Sequence, residues 1–436
     1  MQASPAECGP DPSAPAHERR LRILLVTHLH PELTRGGSQQ AHYELFQGLR
    51  AEADVEAYFL GATDPTTPGL YKAGASITGF DGRSNEFIYL ATAYDYLWHR
   101  TPPRRHVEAF VELLETIRPD VVHFRHFTYF GMGLLTLARR ILPDCRIVFT
   151  FCDFFTICEA NGHMLRRTDG SVCAGASPVR CHQCFPDRPP EHFMLRRLWF
   201  QRHLSVVDRF ACPSRFQIEH FVDWGIAREK IFHVPTGQLM YARSAPPDHD
   251  GCKNRFGFFG RFIDGKGVHI VLRAVQELRS QGFFDFIVEL NADGLETATL
   301  PIRREIEAFL AEEAARPPAE RNVLNNGPYQ ADQIETRMQR VDWCIVPSIW
   351  REVFGLVISE AWMFGRPVIG SNIGSMAERI EHEVDGLLFE AGDPRALAAA
   401  MRRAATEPGL WGRLSAATPE PPSLAGTVTG YRALYQ

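Results

Sequence analysis

Two runs in which short apolar segments alternate with amphipathic ones, separated by a single break, constrain this chain more than any other feature. From Arg22 the first run reads "RILLVTHLH", "SQQAHYELFQGLRA", "DVVHF", "CRIVFTF" and "DRFACPS". Short β-branched and aromatic runs suit strands, the longer amphipathic stretches suit helices, and their alternation predicts parallel sheets with helices on both faces. The rhythm stops at "MYARSAPPDHDGCKN" and resumes with "RFGFFGRF", "VHIVLRAVQELRS", "FDFIVEL", "PIRREIEAFLAEEAA", "DWCIVPS", "RPVIGS" and "PRALAAAMRRAAT". The expected architecture is α/β, with two tandem Rossmann-like, doubly wound domains at 21–240 and 255–420. A linker at 241–254 joins them, and a segment at 421–436 packs back on the first domain. In such sheets ligands sit beyond the carboxyl ends of the strands, at helix N-termini.

The chain has 436 residues, too many for one ordinary core, which agrees with two domains. With 23% charged residues and a net charge of −5 it carries no basic excess to recruit nucleic acid. No apolar run approaches the roughly 20 residues that span a bilayer, and the N-terminus lacks the basic-then-apolar order of a signal peptide. A cytoplasmic location is expected. Residues 1–20, "MQASPAECGPDPSAPAHERR", show no periodicity and read as a flexible tail.

Two segments carry chemistry. "GRFIDGKG", Gly260 to Gly267, lies between a predicted strand and a predicted helix. Its glycines permit a tight turn and close backbone approach, while Arg261 and Lys266 offer cations to a diphosphate. A plain βα turn with two solvated charges is the alternative, and the spacing is not that of a Walker A loop. "WREVFGLVISE", Trp350 to Glu360, places Glu352 and Glu360 eight positions apart. Eight helical steps leave two side chains about 80° apart, so one shared helix face explains the pair poorly. A helix start near Phe354 explains it better. Glu352 then precedes the helix, Glu360 lies within it, and the N–H groups of Phe354, Gly355 and Leu356 between them are free for phosphate oxygens.

"WREVFGLVISE" matches the E-x7-E motif of retaining GT-B glycosyltransferases, and the chain from about 21 to 435 resembles glycosyltransferase family 4. In register with it stand "RGGS" after the first strand, "GRFIDGKG", "VDWCIVPS" and "DGLLFEAGDPRALAAAM". The resemblance implies a GT-B fold and transfer of a hexosyl-type sugar from a nucleotide-diphosphate sugar to a glycan, lipid-linked or small-molecule acceptor. It implies that Glu352 contacts donor-sugar hydroxyls and Glu360 the ribose. Arg261 and Lys266 would hold the diphosphate, Gly36 and Gly37 would face it across the cleft, and no catalytic metal is needed. Many relatives carry a His-Asp pair near the donor sugar; here "TFCDFF" has Cys152 and Asp153. The turn after "FIVEL", often Gly-rich, reads "NADG", Asn291 to Gly294.

Ten cysteines without a secretory signal are not expected to form a disulfide framework. Four of them, Cys158, Cys173, Cys181 and Cys184, fall in an insertion at about 158–190, with a C-x2-C pair that could close a structural tetrahedral zinc site. Reduced thiols, an iron–sulfur cluster or a redox dithiol are the alternatives. "FMLRRLWFQRHL", Phe193 to Leu204, reads as a core-facing helix with a basic face, or as a peripheral contact with an anionic membrane. His123 and His126 end a predicted strand and could line the cleft, where a buried, hydrogen-bonded role suits each alone better than a catalytic one. Two rivals to transfer remain: a GT-B sugar-nucleotide epimerase, and a catalytically silent scaffold using the cysteine loop to bind a partner.

Overall fold

The computed structural model describes residues 19–34, 36–63, 75–91, 94–100, 104–239 and 253–436. Most of the expected tail and all of the expected linker but Lys253 and Asn254 lie outside the described residues.

The first domain is built on an eight-stranded sheet. Its strands are β1 (Leu21–Thr27), β2 (Val55–Thr63), β3 (Ile77–Gly79), β4 (Glu86–Leu90), β5 (Val121–Phe124), β6 (Arg146–Thr150), β7 (Arg209–Cys212) and β8 (Ile231–His233). They run in the order β3-β4-β2-β1-β5-β6-β7-β8, parallel throughout except for the antiparallel edge pair β3–β4. The second sheet holds β9 (Arg255–Arg261), β10 (Ile287–Asp293), β11 (Val323–Asn325), β12 (Trp343–Val346), β13 (Val368–Ser371) and β14 (Gly386–Phe389). Its six strands are all parallel, in the order β11-β10-β9-β12-β13-β14. Strand order reverses between β1 and β5 and again between β9 and β12, and each reversal opens a crevice at the carboxyl ends.

The first sheet is covered on both faces, as a central parallel strand requires. Along β1, Leu24 and Val26 pack with Leu60, Phe110 and Leu134 on one side, whereas Ile23 and Leu25 pack with Leu45, Phe46 and Val428 on the other. Val428 belongs to the last helix, Leu424–Tyr435, which lies on the first domain. His123 is buried beneath that helix, with Nδ1 2.8 Å from the Tyr435 hydroxyl and Nε2 2.7 Å from Thr150 Oγ1. Gly237 N–H donates to Thr427 Oγ1 at 2.7 Å, and Gln238 N–H to Pro422 O at 3.3 Å, so the chain end is stitched to the segment leaving the first domain.

Two boundaries differ from the sequence reading. β10 continues through Asn291, Ala292 and Asp293, which pair with Phe259, Gly260 and Arg261 of β9. The turn begins only at Gly294, in the left-handed region at φ +78°. The helix expected near Phe354 spans Leu356–Met363, because Gly355 takes a left-handed φ of +72° and stands as its N-cap.

Candidate active site

A cavity of about 430 Å3 opens between the two domains at the carboxyl ends of both sheets. The first domain contributes Gly37, Ser38, Arg125 and Asp153; the second contributes Gly260, Arg261, Lys266, Glu352 and Glu360. Most lie at or just beyond a strand end or beside a helix start. Arg125 succeeds β5, Asp153 succeeds β6, and Arg261 closes β9.

After β9 the chain makes a short 3-10 turn, Asp264–Lys266, and enters helix Val268–Ser280 through Gly267 at φ +72°. A Cβ on Gly267 would stand 2.0 Å from the Pro347 carbonyl oxygen, so only glycine lets the turn press against the end of β12. That closeness carries Lys266 to the other acidic segment. Its Nζ lies 2.7 Å from Glu352 Oε1. Arg261 is about half exposed at the cavity wall, 3.9 Å from Asp293.

Glu352 Oε1 also accepts from Trp350 Nε1 at 2.7 Å and Ser348 Oγ at 3.0 Å. Burial alone would raise its pKa, but the Lys266 ammonium and these donors outweigh it and hold the carboxyl below its ordinary value. All three donors engage one oxygen, which leaves Oε2 for the cavity that Glu352 lines.

The N–H groups of Phe354, Gly355 and Leu356 find no acceptor among the described residues. Their orientation is fixed from behind by Arg379, a residue the sequence reading passed over. Its Nη1 donates to the carbonyls of Phe354 and Gly355, each at 2.9 Å, and its Nη2 to Ser359 Oγ at 2.7 Å. Its guanidinium stacks 4.0 Å from the Phe354 ring centroid. Burial brings its pKa down to about 9. Glu360, in the second turn of the helix, accepts from Gln238 Nε2 at 3.1 Å through Oε1, while Oε2 is buried with no partner among the described residues. Burial, with Glu44 nearby, holds its pKa above the ordinary value.

Across the cleft, helix Gly37–Arg50 begins beside this loop. A Cβ on Gly37 would come within 3.0 Å of Leu356 Cδ1, so the helix starts at Gly37 and Leu356 meet. Two helix N-termini thus flank the cavity with positive partial charge. Gly36 is the N-cap of the first, in extended conformation.

Asp153 lies on the first-domain side, its Oδ2 2.8 Å from His126 Nε2 and its Oδ1 accepting Phe155 N–H at 2.8 Å. Burial pushes its pKa up, but the His126 imidazole and the Phe155 N–H prevail and hold it below the ordinary value. An imidazole absent from position 152 is therefore supplied from the end of β5. Cys152 instead points its thiol to the Arg125 carbonyl at 3.3 Å, and burial raises that thiol to about 12. Ligand atoms of His126, Cys152 and Asp153 lie within 4.8 Å of one another, but they are engaged by each other and by backbone.

The cysteine insertion borders the same cleft. Cys158, Cys173, Cys181 and Cys184 line a small cavity of their own. Arg351 Nη1 donates to the Cys173 carbonyl across the domains, and the His163 ring lies 4.8 Å from that of Trp350.

Two family models match this chain, one on each domain. The family model described as Glycosyltransferase Family 4 matches residues 35–237, and that described as Glycosyl transferases group 1 matches residues 253–407. Each half of the chain thus matches a glycosyltransferase family model, on a fold of the GT-B class. This GT-B chain resembles HepE of Anabaena, solved in complex with UDP and glucose, at a TM-score of 0.64 and 17% identity, over 95% of this chain and 99% of that one. Sucrose-phosphate synthase of Thermosynechococcus elongatus is similar at a TM-score of 0.65 and 17% identity, over 95% and 96%. Among curated relatives, D-inositol 3-phosphate glycosyltransferase of Thermobispora bispora is 29% identical over 70% of this chain and 66% of its own length. The matched regions of the first relatives found span about half of those proteins, 50% and 52%.

Proposed function

We propose that this chain is a retaining glycosyltransferase that moves a hexosyl-type sugar from a nucleotide-diphosphate sugar to a glycan, lipid-linked or small-molecule acceptor. The observation that carries it is the spacing of three features along one loop and helix. Glu352 has a carboxylate oxygen open to the cavity, and among the described residues the N–H groups of Phe354 to Leu356 have no acceptor and Glu360 has a buried oxygen with no partner. A diphosphate on the N–H groups would put sugar hydroxyls at Glu352 and a ribose hydroxyl at Glu360 Oε2, which otherwise costs desolvation with no return.

In transfer the bond between the anomeric carbon and the diphosphate oxygen breaks, and negative charge grows on the leaving phosphate. Arg261, Lys266 and the two helix N-termini would stabilise that charge, so no catalytic metal is required. The acceptor oxygen attacks from the face the phosphate leaves, and its proton passes to a phosphate oxygen. Asp153, held by His126, sits at the sugar end and would orient the donor hydroxyls; no protein nucleophile is assigned. The chain's work is expected in the cytoplasm, where Met194, Leu195 and Leu198 are exposed on helix Pro190–Leu204 beside Arg197 and Arg202 for peripheral contact with an anionic membrane. Among the described residues no helix is long and apolar enough to cross a membrane.

Proton NMR of the slow reaction with water as acceptor tests the reading. Release of free sugar first formed with the donor's anomeric configuration supports it; an epimerised nucleotide sugar or inverted sugar contradicts it.

A further inference from the structure

Three separate pieces of chain bring cysteines to one cavity of about 20 Å3, room for a single atom or water. Cys158 comes from the turn after β6. Cys173 follows a small hairpin closed by the Leu165–Val172 bridge. Cys181 and Cys184 lie three residues apart on helix Pro178–Cys184, and so on one face of it. All four are free thiols.

The surroundings are cationic. Arg180 lines the same cavity, and Arg196, only 4% exposed, interacts electrostatically with Cys158 and Cys181. Glu159, the carboxylate nearest Arg196, is shared with Arg188 and His192. Arg167 N–H is directed at Cys184 Sγ at 3.5 Å. Arg196 Nη1 and Nη2 donate to the carbonyls of Thr156 and Phe155, and Glu159 meets its charge only in part while shared with Arg188 and His192. Four thiolates on a divalent cation carry a net charge of about −2 that Arg196 and the N–H···S bond would stabilise.

We propose that Cys158, Cys173, Cys181 and Cys184 form a structural tetrathiolate zinc site that braces the insertion as one wall of the interdomain cleft. Binding displaces the thiol protons and draws the sulfurs to about 2.3 Å from the metal, a closed tetrahedron with no position left for substrate. The brace reaches the cleft in two places. Asn161 and His163, between the first and second ligands, line the large cavity, and His163 meets Trp350. The carbonyl of Cys173 holds Arg351, next to Glu352. The metal thereby fixes both the wall and the loop that carries Glu352. Its bearing on donor binding rests on the function proposed above; the metal site itself does not.

The test is metal analysis of the full chain purified under reducing conditions, with replacement of zinc by Co2+ as a spectroscopic check. One zinc per chain is expected, with a thiolate-to-cobalt charge-transfer band after exchange. Cys181→Ala and Cys184→Ala should lose both, and stripped or variant protein should be cut faster by trypsin at Arg166, Arg167 and Arg180. Wild-type chain that neither contains nor takes up zinc, or that shows disulfide-bonded cysteines here by mass, overturns the proposal. So does full zinc retention in both Cys181→Ala and Cys184→Ala. Because the wild-type readouts need no variant, misfolding of a variant leaves the test intact. Wild type that binds nucleotide-sugar but neither contains nor takes up zinc removes only this proposal, and zinc without nucleotide binding removes only the functional one.

Discussion

Lys266 Nζ stands 2.7 Å from Glu352 Oε1, joining the glycine-turn segment of β9 to the acidic loop after β12. The pair links two sequence segments that are more than eighty residues apart, and it occupies one carboxylate oxygen while the other stays with the cavity. Removing the ammonium leaves a largely buried carboxylate without its counter-charge and takes a cation from the leaving phosphate. Lys266→Ala should lower kcat/KM about 10²–10³-fold, measured by steady-state donor turnover.

The same pair has a pH signature. The Glu352 carboxyl lies below its ordinary value in the folded state, so its stabilisation is complete above the unfolded carboxylate range, near pH 4.3, and is lost as pH falls through the folded pKa. A Tm profile taken downward from pH 6 should fall more steeply for wild type than for Glu352→Gln.

Glu360 behaves in the opposite sense. Its pKa is raised, so stability attributable to it is present at low pH and lost as pH climbs through the unfolded and then the folded value. Glu360→Gln should therefore raise the Tm of the ligand-free protein at pH 7 while weakening nucleotide binding about tenfold, by calorimetry.

Arg379 positions the N–H groups by holding the two carbonyls behind them. Arg379→Lys keeps charge but not the fork that reaches Phe354, Gly355 and Ser359 together. Donor Kd should rise about tenfold in Arg379→Lys, with Glu352's Tm–pH profile unchanged.

At the chain end, Tyr435→Phe removes the hydroxyl facing His123 Nδ1, 2.8 Å away in a fully buried site. An unsatisfied buried imidazole nitrogen costs about 1–3 kcal/mol. Urea denaturation should show that loss in the transition of the first domain.

Much of this was legible from periodicity. Helices Val268–Ser280 and Pro394–Thr406 coincide with the amphipathic segments read as helices, since nothing long-range competes with a strong 3.6-residue pattern. Asn291 to Asp293 were read as a turn because polar residues before a glycine resemble one; pairing with β9 overrides that local preference. Arg379 was invisible because its partners are backbone carbonyls more than twenty residues earlier, which leave no spacing signature. His126 was legible as a residue at a strand end, but its pairing with Asp153 was not, because it arises from β5 and β6 lying side by side.

The central claim is that Glu352 with Lys266, the N–H groups of Phe354 to Leu356, and Glu360 together grip a nucleotide-diphosphate sugar. Calorimetric titration of wild type and Lys266→Ala with UDP-, GDP-, ADP- and dTDP-sugars tests it most directly. The account predicts that one of these donors binds wild type well below millimolar and binds the variant far more weakly. No binding of any donor at millimolar concentration, or equal affinity in both proteins, would contradict it.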